Sequence, residues 1–376
     1  MPSDSSTKKL FIGLGIAALY FIITALPAPD GLTPVGKKAI AMMLAAVLVW
    51  VFEVIPIAVS SILFTLLPVV AGIIPLPKVM AHFATPTVFF VFAMFCISIA
   101  FQNSGLNRRV VLWTSLRSRG NPSRLLFFLM MVSALLSTFL ADIPVVAMML
   151  PVAVLLLEKN RCEPGASPFG KAVMLGLPIA CLIGGVGTPA GSAMNMLTIG
   201  LLQDTAKVHI SFFEWMAIGM PMVLILTPVA WWAVIKVFPP EMDRLAGMEL
   251  VEREYAELGP VTGREKLFFV ILLINFILWC TDKIHGLPLP VVAVIGGSLF
   301  VLPRIQLIDW ERDKCRIGWD ILMLIGASNA LGMIIWEQGG ASWIANACLG
   351  DISDLPLAGV IAAISIFTIV IHLLIP

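Results

Sequence analysis

The sequence predicts an all-α polytopic membrane protein with a re-entrant helical hairpin and broken helices. Three observations support this fold class: the composition, a series of apolar stretches long enough to span a membrane, and two interruptions inside such stretches. Of the 376 residues, 59% are hydrophobic and 12% are charged, and the mean hydropathy is +0.99. Soluble domains carry about 25% charged residues, so a soluble fold does not fit this composition.

The composition also limits the partners and cofactors. The formal net charge is +1 and no basic stripe covers an element, which argues against nucleic acid as a partner. The six cysteines lack CxxC spacing, and the four histidines are far apart with no HExxH motif. We therefore expect no transition-metal site and no organic cofactor. The composition indicates that the protein interacts with the lipid bilayer.

The candidate spans follow from the length that a transmembrane helix needs. A bilayer core about 30 Å thick requires about 20 apolar residues in a helix. The first apolar stretch follows two lysines, as in a signal peptide, but many more spans come after it, which favours a transmembrane helix. The predicted full spans are residues 10–27, 38–52, 56–74, 87–103, 172–203, 215–238, 266–281, 288–303 and 318–336.

Two long apolar stretches are interrupted. Within residues 172–203, the glycine-rich run 184–191 predicts a break in the middle of a helix. Within residues 123–157, the sequence ADIP at 141–144 leaves two arms of about 18 and 14 residues, and the second arm is short for a full span. This pattern predicts a re-entrant hairpin with its tip at Asp142.

The distribution of basic residues supports that hairpin. With a cytoplasmic N-terminus and a hairpin that enters and leaves on one side, most of the 24 Lys and Arg fall in cytoplasmic segments, as the positive-inside rule requires. Without the hairpin, most basic residues after it would move outside. The residues expected outside are only Lys37, Lys38, Lys78, Lys207 and Lys283. The sequence thus predicts a multi-pass protein of the inner (plasma) membrane with a cytoplasmic N-terminus.

The two interruptions hold the residues most suited to function. Non-helical backbone at membrane depth is tolerated only where it faces protein or a water-filled cavity. Helix N-termini at such breaks favour anions, whereas free carbonyls and hydroxyls favour Na⁺. The polar side chains available there are Ser137, Thr138, Asp142, Thr188, Ser192 and Asn195.

Asp142 is the strongest of these candidates. Placing a carboxylate within the membrane costs free energy, so such a residue is by default interpreted as part of a functional site. A compatible alternative is that Asp142 caps the following helix just ahead of Pro144. For the run 184–191, the alternative to a substrate loop is close helix packing by glycine. An intramembrane aspartyl protease would need a second facing acid, and Asp142 has no GxGD-like partner in another span, so we expect no enzyme.

Three stretches resemble the signatures of one transporter family. Residues 52–59 (FEVIPIAV), 141–151 (ADIPVVAMMLP) and 184–195 (GGVGTPAGSAMN) are similar, in this order, to T-E-A-I-P-L-x-V, S-N-T-A-T-x-A-M-M-L-P and G-G-x-G-T-x-x-G-[ST]-P-P-N. These are signatures of the divalent anion:sodium symporter (DASS) family, which carries dicarboxylates, citrate or sulfate. The resemblance implies an elevator-type secondary transporter of small anions, with Na⁺ as coupling ion, working as a homodimer of chains with scaffold and transport domains.

The resemblance also implies the site residues. In the family, the first hairpin tip and the broken helix form one sodium site and half of the anion site. Carried over by motif position, the predicted cation-binding residues are Ser137, Asp142 and Gly191. The predicted substrate-binding residues are Asp142, Ile143, Ser192 and Asn195.

One departure from the family pattern concerns the coupling ion. The family's Ser-Asn-Thr is Ala-Asp-Ile at residues 141–143, so an acid replaces an amide, and an ionised Asp142 would repel a bound carboxylate. Three explanations stay open. Asp142 binds its cation more tightly, or the substrate is not a dicarboxylate, or Asp142 is protonated when the anion binds. The last alternative describes a proton-coupled anion carrier or an ion antiporter with Asp142 as the proton site.

The two halves of the chain resemble each other faintly, as in an inverted-repeat transporter. Residues 87–106 align with 320–341, with Gly105 opposite Gly340. On this alignment the second hairpin tip would follow Pro376, so we expect the 376-residue chain to be a fragment that does not transport alone.

The predicted domains combine the repeat, the spans and the resemblance. They are N-terminal scaffold helices over 1–86, a first transport repeat over 87–214 with the hairpin (123–157) and the broken helix (172–203), a scaffold helix over 215–238, a cytoplasmic linker over 239–264, scaffold helices of the second repeat over 265–317, and an incomplete second transport repeat over 318–376.

Overall fold

The computed structural model describes residues 4–350 and 355–374, which are mostly helical and contain no strand. The α-helices are α1 (Asp4–Ala25), α2 (Pro34–Val51), α3 (Ile57–Val70), α4 (Leu76–Phe83), α5 (Pro86–Ser104), α6 (Leu106–Arg117), α7 (Pro122–Ser137), α8 (Asp142–Lys159), α9 (Pro168–Gly185), α10 (Ala193–Leu201), α11 (Phe212–Val237), α12 (Met248–Glu257), α13 (Gly263–Cys280), α14 (Asp282–His285), α15 (Leu289–Leu299), α16 (Trp310–Asp313), α17 (Trp319–Glu337), α18 (Gly340–Leu349) and α19 (Leu357–Leu374). A π-helical turn follows α10 at Leu202–Ala206, and a 3₁₀ turn follows α16 at Lys314–Arg316.

Six helical stretches of the described part are long and apolar enough to cross a membrane. They are Thr7–Ala25, Pro34–Val51, Leu76–Ser104, Pro168–Gly185, Phe212–Val237 and Trp319–Glu337. The predicted all-α polytopic fold class is confirmed.

Local sequence signals set the helix boundaries. The hydroxyl of Thr33 accepts a hydrogen bond from the amide of Gly36 at 2.9 Å, and Pro34 occupies the first helical position of α2. At the start of α13, Thr262 and Glu265 form a capping box. Such caps satisfy amides that have no partner within the helix, which is why these helices begin where they do.

The described chain forms two compact units, one from residues 1–88 and 318–376 and the other from residues 89–317. In the first unit, the carboxylate of Asp320 accepts a hydrogen bond from the amide of Ala58 at the start of α3. The amide of Asn329 in α17 donates to the hydroxyl of Thr85 at 2.8 Å. The predicted division into scaffold and transport domains stays a prediction.

The second unit has an apolar core shared by α6, α7, α8, α9, α11 and α12. Residues 239–264, predicted as a cytoplasmic linker, contain α12 and contribute two side chains to this core. Leu245 is 7% exposed and Val251 is 1% exposed. The segment is therefore packed against the unit, and its location relative to the membrane stays a prediction.

Both predicted interruptions are present in the second unit. Helix α7 ends at Ser137 and α8 begins at Asp142, and both helices pack into the same core. Helix α9 ends at Gly185 and α10 begins at Ala193. The predicted broken helix is thus observed, while re-entry of the α7–α8 pair into a bilayer stays a prediction.

Both segments of the predicted internal repeat contain a glycine with positive φ just before a helix. Gly105 has φ 93° and precedes α6, and Gly339 has φ 77° and precedes α18. Both occupy the left-handed region that favours glycine. Gly247, which precedes α12, has the same geometry with φ 83°, so the internal repeat and the pairing of Gly105 with Gly340 stay predictions.

Asp313 is the centre of a buried polar network in the second unit. Its carboxylate is 1% exposed and accepts hydrogen bonds from Arg312, Arg316 and Asn103, and from the amide of Asp309. Burial alone would raise the pKa of Asp313, but these donors outweigh it and lower the pKa from 3.8 to about 2.

Replacing Asp313 by asparagine is therefore expected to lower the free energy of unfolding by about 2 kcal/mol at neutral pH. Because the pKa is depressed in the folded protein, this contribution is present above pH 3.8 and is lost as the pH falls toward about 2. Denaturant titrations of wild type and Asp313→Asn should converge over this range. Glu311→Gln is the control, because Glu311 is 80% exposed and its pair with Lys314 contributes little. An equal loss in both variants would contradict the account.

Candidate functional site

Two helix interruptions meet in the second unit. One is the turn 138–141 between α7 and α8, and the other is the segment 186–192 between α9 and α10. The hydroxyl of Thr188 donates a hydrogen bond to the carbonyl oxygen of Thr138, and both residues are fully buried. The two interruptions therefore form a single polar site.

Glycine permits this close approach. A Cβ atom on Gly191 would lie 2.6 Å from the carbonyl oxygen of Gly185 and 2.8 Å from that of Ser137. A Cβ atom on Gly184 would lie 2.1 Å from the carbonyl oxygen of Ala134 in α7. Close packing by glycine, the alternative for this run, is thus present together with the helix break.

The Asp142 carboxylate lies at the centre of the site. The Ser137 hydroxyl donates a hydrogen bond to its Oδ1 atom. A Cβ atom on Gly185 would lie 3.2 Å from Oδ1 and 3.3 Å from Oδ2, so the carboxylate also borders the end of α9. Ala141, not Asp142, is the N-cap residue of α8, and no side chain caps it. The interpretation of Asp142 as a helix cap is therefore wrong.

The helix ends give the site two electrostatic halves. Helices α7 and α9 end there, at Ser137 and Gly185, and helix C-termini carry partial negative charge on their free carbonyls. Helices α8 and α10 begin there, and helix N-termini carry partial positive charge. Carbonyl, hydroxyl and carboxylate oxygens are suited to a hard cation such as Na⁺, whereas the two N-termini are suited to an anion.

The structure brings the predicted cation-binding residues together. The Ser137 hydroxyl contacts Asp142, and the Ser137 carbonyl borders Gly191. The three residues predicted to bind the cation, Ser137, Asp142 and Gly191, therefore lie close together. Their binding of a cation stays a prediction.

The predicted substrate-binding residues differ in their surroundings. Ser192 is the N-cap residue of α10, and its hydroxyl accepts a hydrogen bond from the amide of Met194 at 3.3 Å. Ser192 is half-buried, whereas Ile143 is 65% exposed beside Asp142. These three side chains lie at or next to the helix N-termini that form the positive half.

The side chain of Asn195, in contrast, is bonded to the backbone of the loop between α9 and α10. It is 7% exposed, and its Nδ2 atom donates to the carbonyl oxygens of Gly185 at 2.7 Å and Thr188 at 2.8 Å. These bonds brace the loop between α9 and α10. A direct role for Asn195 in substrate binding stays a prediction.

Two further contacts were not foreseen from the sequence. The hydroxyl of Ser98 in α5 accepts a hydrogen bond from the amide of Ala141 at 3.3 Å. The indole of Trp215 in α11 donates to the carbonyl oxygen of Val186 at 2.9 Å. No local pattern distinguishes these residues from other polar or aromatic residues of the spans, so only the tertiary structure identifies them.

Discontinuous helices that converge on an oxygen-lined site within an apolar helical fold are typical of secondary transporters. The family model described as the sodium:sulfate symporter transmembrane region matches residues 7–375. The chain belongs to this family, and the resemblance found in the three sequence motifs is confirmed. It is a multi-pass membrane transport protein and not an enzyme.

Curated relatives agree with this assignment. A protein described as a membrane protein from Cupriavidus necator is 27% identical, over 99% of this chain and 76% of the relative. The sodium-dependent dicarboxylate transporter SdcS of Staphylococcus saprophyticus is 29% identical, over 89% of this chain and 69% of the relative. The SdcS protein of Staphylococcus aureus is 27% identical, over 91% of this chain and 71% of the relative.

Proposed function

We propose that this chain forms the Na⁺ site and part of the anion site of a Na⁺-coupled transporter of small anions, of the dicarboxylate, tricarboxylate or sulfate class. The observation that carries the proposal is the meeting of the turn 138–141 with the segment 186–192 around Asp142. The relatives described as sodium-dependent dicarboxylate transporters support both the coupling ion and the substrate class.

The proposed Na⁺ site is the part of the site lined by the carboxylate, hydroxyl and carbonyl oxygens, which we call the cation half. The Asp142 carboxylate and the Ser137 hydroxyl are in hydrogen-bond contact, and the Ser137 and Gly185 carbonyls face Gly191 from the ends of two helices. A Na⁺ ion placed among them would neutralise Asp142 and interact favourably with both helix C-termini.

The same geometry gives a reason for coupling. An ionised Asp142 stands at the N-terminus of α8, beside the groups proposed to bind the anion, and repels it. Bound Na⁺ removes this repulsion, so the anion binds strongly only after the cation. Tighter cation binding is thus the explanation that we favour for the acid at this position.

Three finer features are part of the proposal. The protein works as a homodimer, moves its substrate by an elevator movement, and has its N-terminus in the cytoplasm of a cell whose plasma membrane it spans. The first two rest on the family resemblance, and the third rests on the distribution of Lys and Arg.

Thermal unfolding of the purified protein tests this function. With sodium salts, succinate, citrate or sulfate should raise the unfolding temperature, and with choline salts at equal ionic strength the same anions should have no effect. A protein that binds a ligand only when folded is stabilised by that ligand, which makes the shift a binding measurement. Anion protection of equal size in both media would contradict Na⁺ coupling. Anion protection in choline that grows at lower pH, and that no longer depends on pH in Asp142→Asn, would instead support the proton-coupled alternative.

Ser192→Ala is expected to weaken the anion-induced shift while leaving the Na⁺-induced shift in place. A hydrogen bond to a charged group contributes about 1.5–3 kcal/mol, so the apparent anion affinity should fall at least tenfold. Thr198→Ala is the control, because Thr198 is an exposed hydroxyl of the same helix that bonds the Met194 carbonyl. If Ser192→Ala retains full anion affinity, Ser192 does not bind the substrate.

A further inference from the structure

A basic and aromatic cavity lies in the second unit, where α6 and α11 pack against α7. Its volume is about 540 Å³. The lining residues are Leu116, Arg117, Arg119, Arg124, Phe127, Phe128 and Trp231. Three positive charges therefore face a space whose other walls are apolar and aromatic, and no acidic residue lines it.

The three guanidinium groups have no carboxylate partner. Arg117, Arg119 and Arg124 are exposed and form no salt bridge with any described residue. The Arg117 guanidinium lies over the Trp113 ring, 4.9 Å from its centre, which leaves its charge uncompensated. The arginines that do form ion pairs in this unit are Arg108, Arg109, Arg253, Arg312 and Arg316. The charge of the cavity is thus uncompensated within the described part of the protein.

Two of these arginines occupy positions that arginine does not favour on local grounds. Arg119 has φ 52°, in the left-handed region that is unfavourable for a residue with a side chain. Arg124 lies in the first turn of α7, where the helix dipole favours an acidic residue. An anion in the cavity would offset both costs, because it would contact the guanidinium groups and lie near the N-terminus of α7.

The aromatic wall is held in a fixed geometry. The Trp231 indole donates a hydrogen bond to the Ser123 carbonyl oxygen at 2.9 Å. Its ring meets that of Phe127 edge to face, with 5.2 Å between the centroids. Trp231 belongs to the last turns of α11, next to Trp232 and Lys236, whose ammonium lies 4.7 Å from the Trp232 ring centre. Tryptophan and lysine near the end of a membrane-spanning helix mark the headgroup level of the bilayer.

We propose that this cavity binds the phosphate headgroup of an anionic phospholipid, with Arg117, Arg119 and Arg124 on the phosphate and the rings of Phe128 and Trp231 beside the acyl chains. Arginine clusters between helices at the membrane surface are suited to phosphate, since each guanidinium can donate two parallel hydrogen bonds. The apolar walls favour a lipid over a free phosphate ion. Lipid binding here would hold α6 and α11 against α7, which is the first arm of the predicted hairpin.

Native mass spectrometry and thermal unfolding test this site on the purified chain. Phosphatidylglycerol should bind and raise the unfolding temperature, whereas phosphatidylcholine at the same concentration should not. The triple variant Arg117→Gln, Arg119→Gln and Arg124→Gln should bind phosphatidylglycerol about a hundredfold more weakly, since each basic residue near the surface contributes about fivefold. Inorganic phosphate forms a separate arm of the test. Protection by inorganic phosphate at low millimolar concentration, without protection by phosphatidylglycerol, would overturn the lipid assignment.

A matched triple variant controls for the loss of charge. It carries Arg161→Gln, Arg244→Gln and Arg253→Gln, which are exposed arginines of the same unit outside the cavity, and Arg161 shares the left-handed φ, at 56°. This variant should keep wild-type lipid affinity. Equal weakening in both triple variants would show non-specific attraction and contradict the site. If the cavity variant elutes as an aggregate, the single variant Arg124→Gln replaces it, with an expected loss of about fivefold. Unchanged affinity in that variant would also contradict the site.

Discussion

The Asp142→Ala variant is expected to lose all stabilisation by Na⁺. In the proposed site, Asp142 supplies the charge that holds the ion, and the other ligands are neutral oxygens that cannot replace it. At a Na⁺ concentration a hundred times the dissociation constant, ion binding stabilises the wild type by about 2.7 kcal/mol. Alanine should remove this entire increment. Na⁺ titrations followed by thermal unfolding, with choline at constant ionic strength, measure it directly.

Asp142→Asn separates charge from ligand geometry. Its amide oxygen can still contact Na⁺, so we expect a weaker but measurable response to the ion. The amide carries no charge to repel an anion, so anion binding should depend less on Na⁺ than it does in the wild type. Both results follow from the position of Asp142 between the cation half and the anion half of the site.

Glu249→Ala is the matched control for Asp142→Ala. Glu249 is an exposed acidic residue in the first turn of α12, just as Asp142 is the acidic residue in the first turn of α8. Its removal should leave the response to Na⁺ unchanged. A full Na⁺ response in Asp142→Ala, or equal losses in both variants, would show that the ion does not bind at Asp142.

Gly184→Ala is expected to lower the free energy of unfolding by about 3 kcal/mol or more. A Cβ atom there would lie 2.1 Å from the carbonyl oxygen of Ala134 and 2.7 Å from its Cα atom. Because both are backbone atoms, no side-chain rotation relieves the clash, and α7 and α9 must separate. The separation would also move Ser137 away from Gly191. We therefore expect both a lower free energy of unfolding and a weaker response to Na⁺.

Gly200→Ala is the control for this substitution. Gly200 lies in α10, and beyond the local helix backbone and its two neighbours no atom lies within 4 Å of the position of its added Cβ. Alanine is a better helix former than glycine, so stability should stay the same or rise by up to about 1 kcal/mol. Both variants can be compared in reversible denaturant titrations. Similar stability of Gly184→Ala and Gly200→Ala would contradict the close packing of α7 on α9.

Local properties of the sequence predicted both interruptions and six of the nine proposed spans. The other three, 56–74, 266–281 and 288–303, are not among the six candidate spans, because α3 and α15 are short and the first turn of α13 carries three charged residues. Apolar length identifies a span, and caps such as Thr33 and Thr262 set where its helix starts. The break near Gly185 follows from a run of glycine and proline that disfavours a continuous helix. Segment 239–264 was harder, because its polar composition concealed α12, whose burial depends on the single apolar face that contains Val251.

The contacts within the site depend on pairs of residues distant in sequence, which one chain without an alignment does not identify. The bond from Thr188 to the Thr138 carbonyl spans 50 residues, and the bond from Ala141 to Ser98 spans 43. Nor did the sequence show that the Asp142 side chain turns back to Ser137 instead of capping α8. The identities of the candidate residues were thus predictable, but their partners were not.

The central claim is that the chain enters the membrane, turns at Asp142 beside the broken helix, and leaves on the side where it entered. Labelling of single cysteines with a membrane-impermeant maleimide tests it most directly. Asn121→Cys and Glu163→Cys mark the exposed ends of the α7–α8 pair, in a protein whose six native cysteines are replaced by serine. We predict that both positions react from the same face of the membrane, in inverted vesicles and not in intact cells. Reaction of the two positions from opposite faces would mean that the chain crosses the membrane at Asp142, and it would contradict the account.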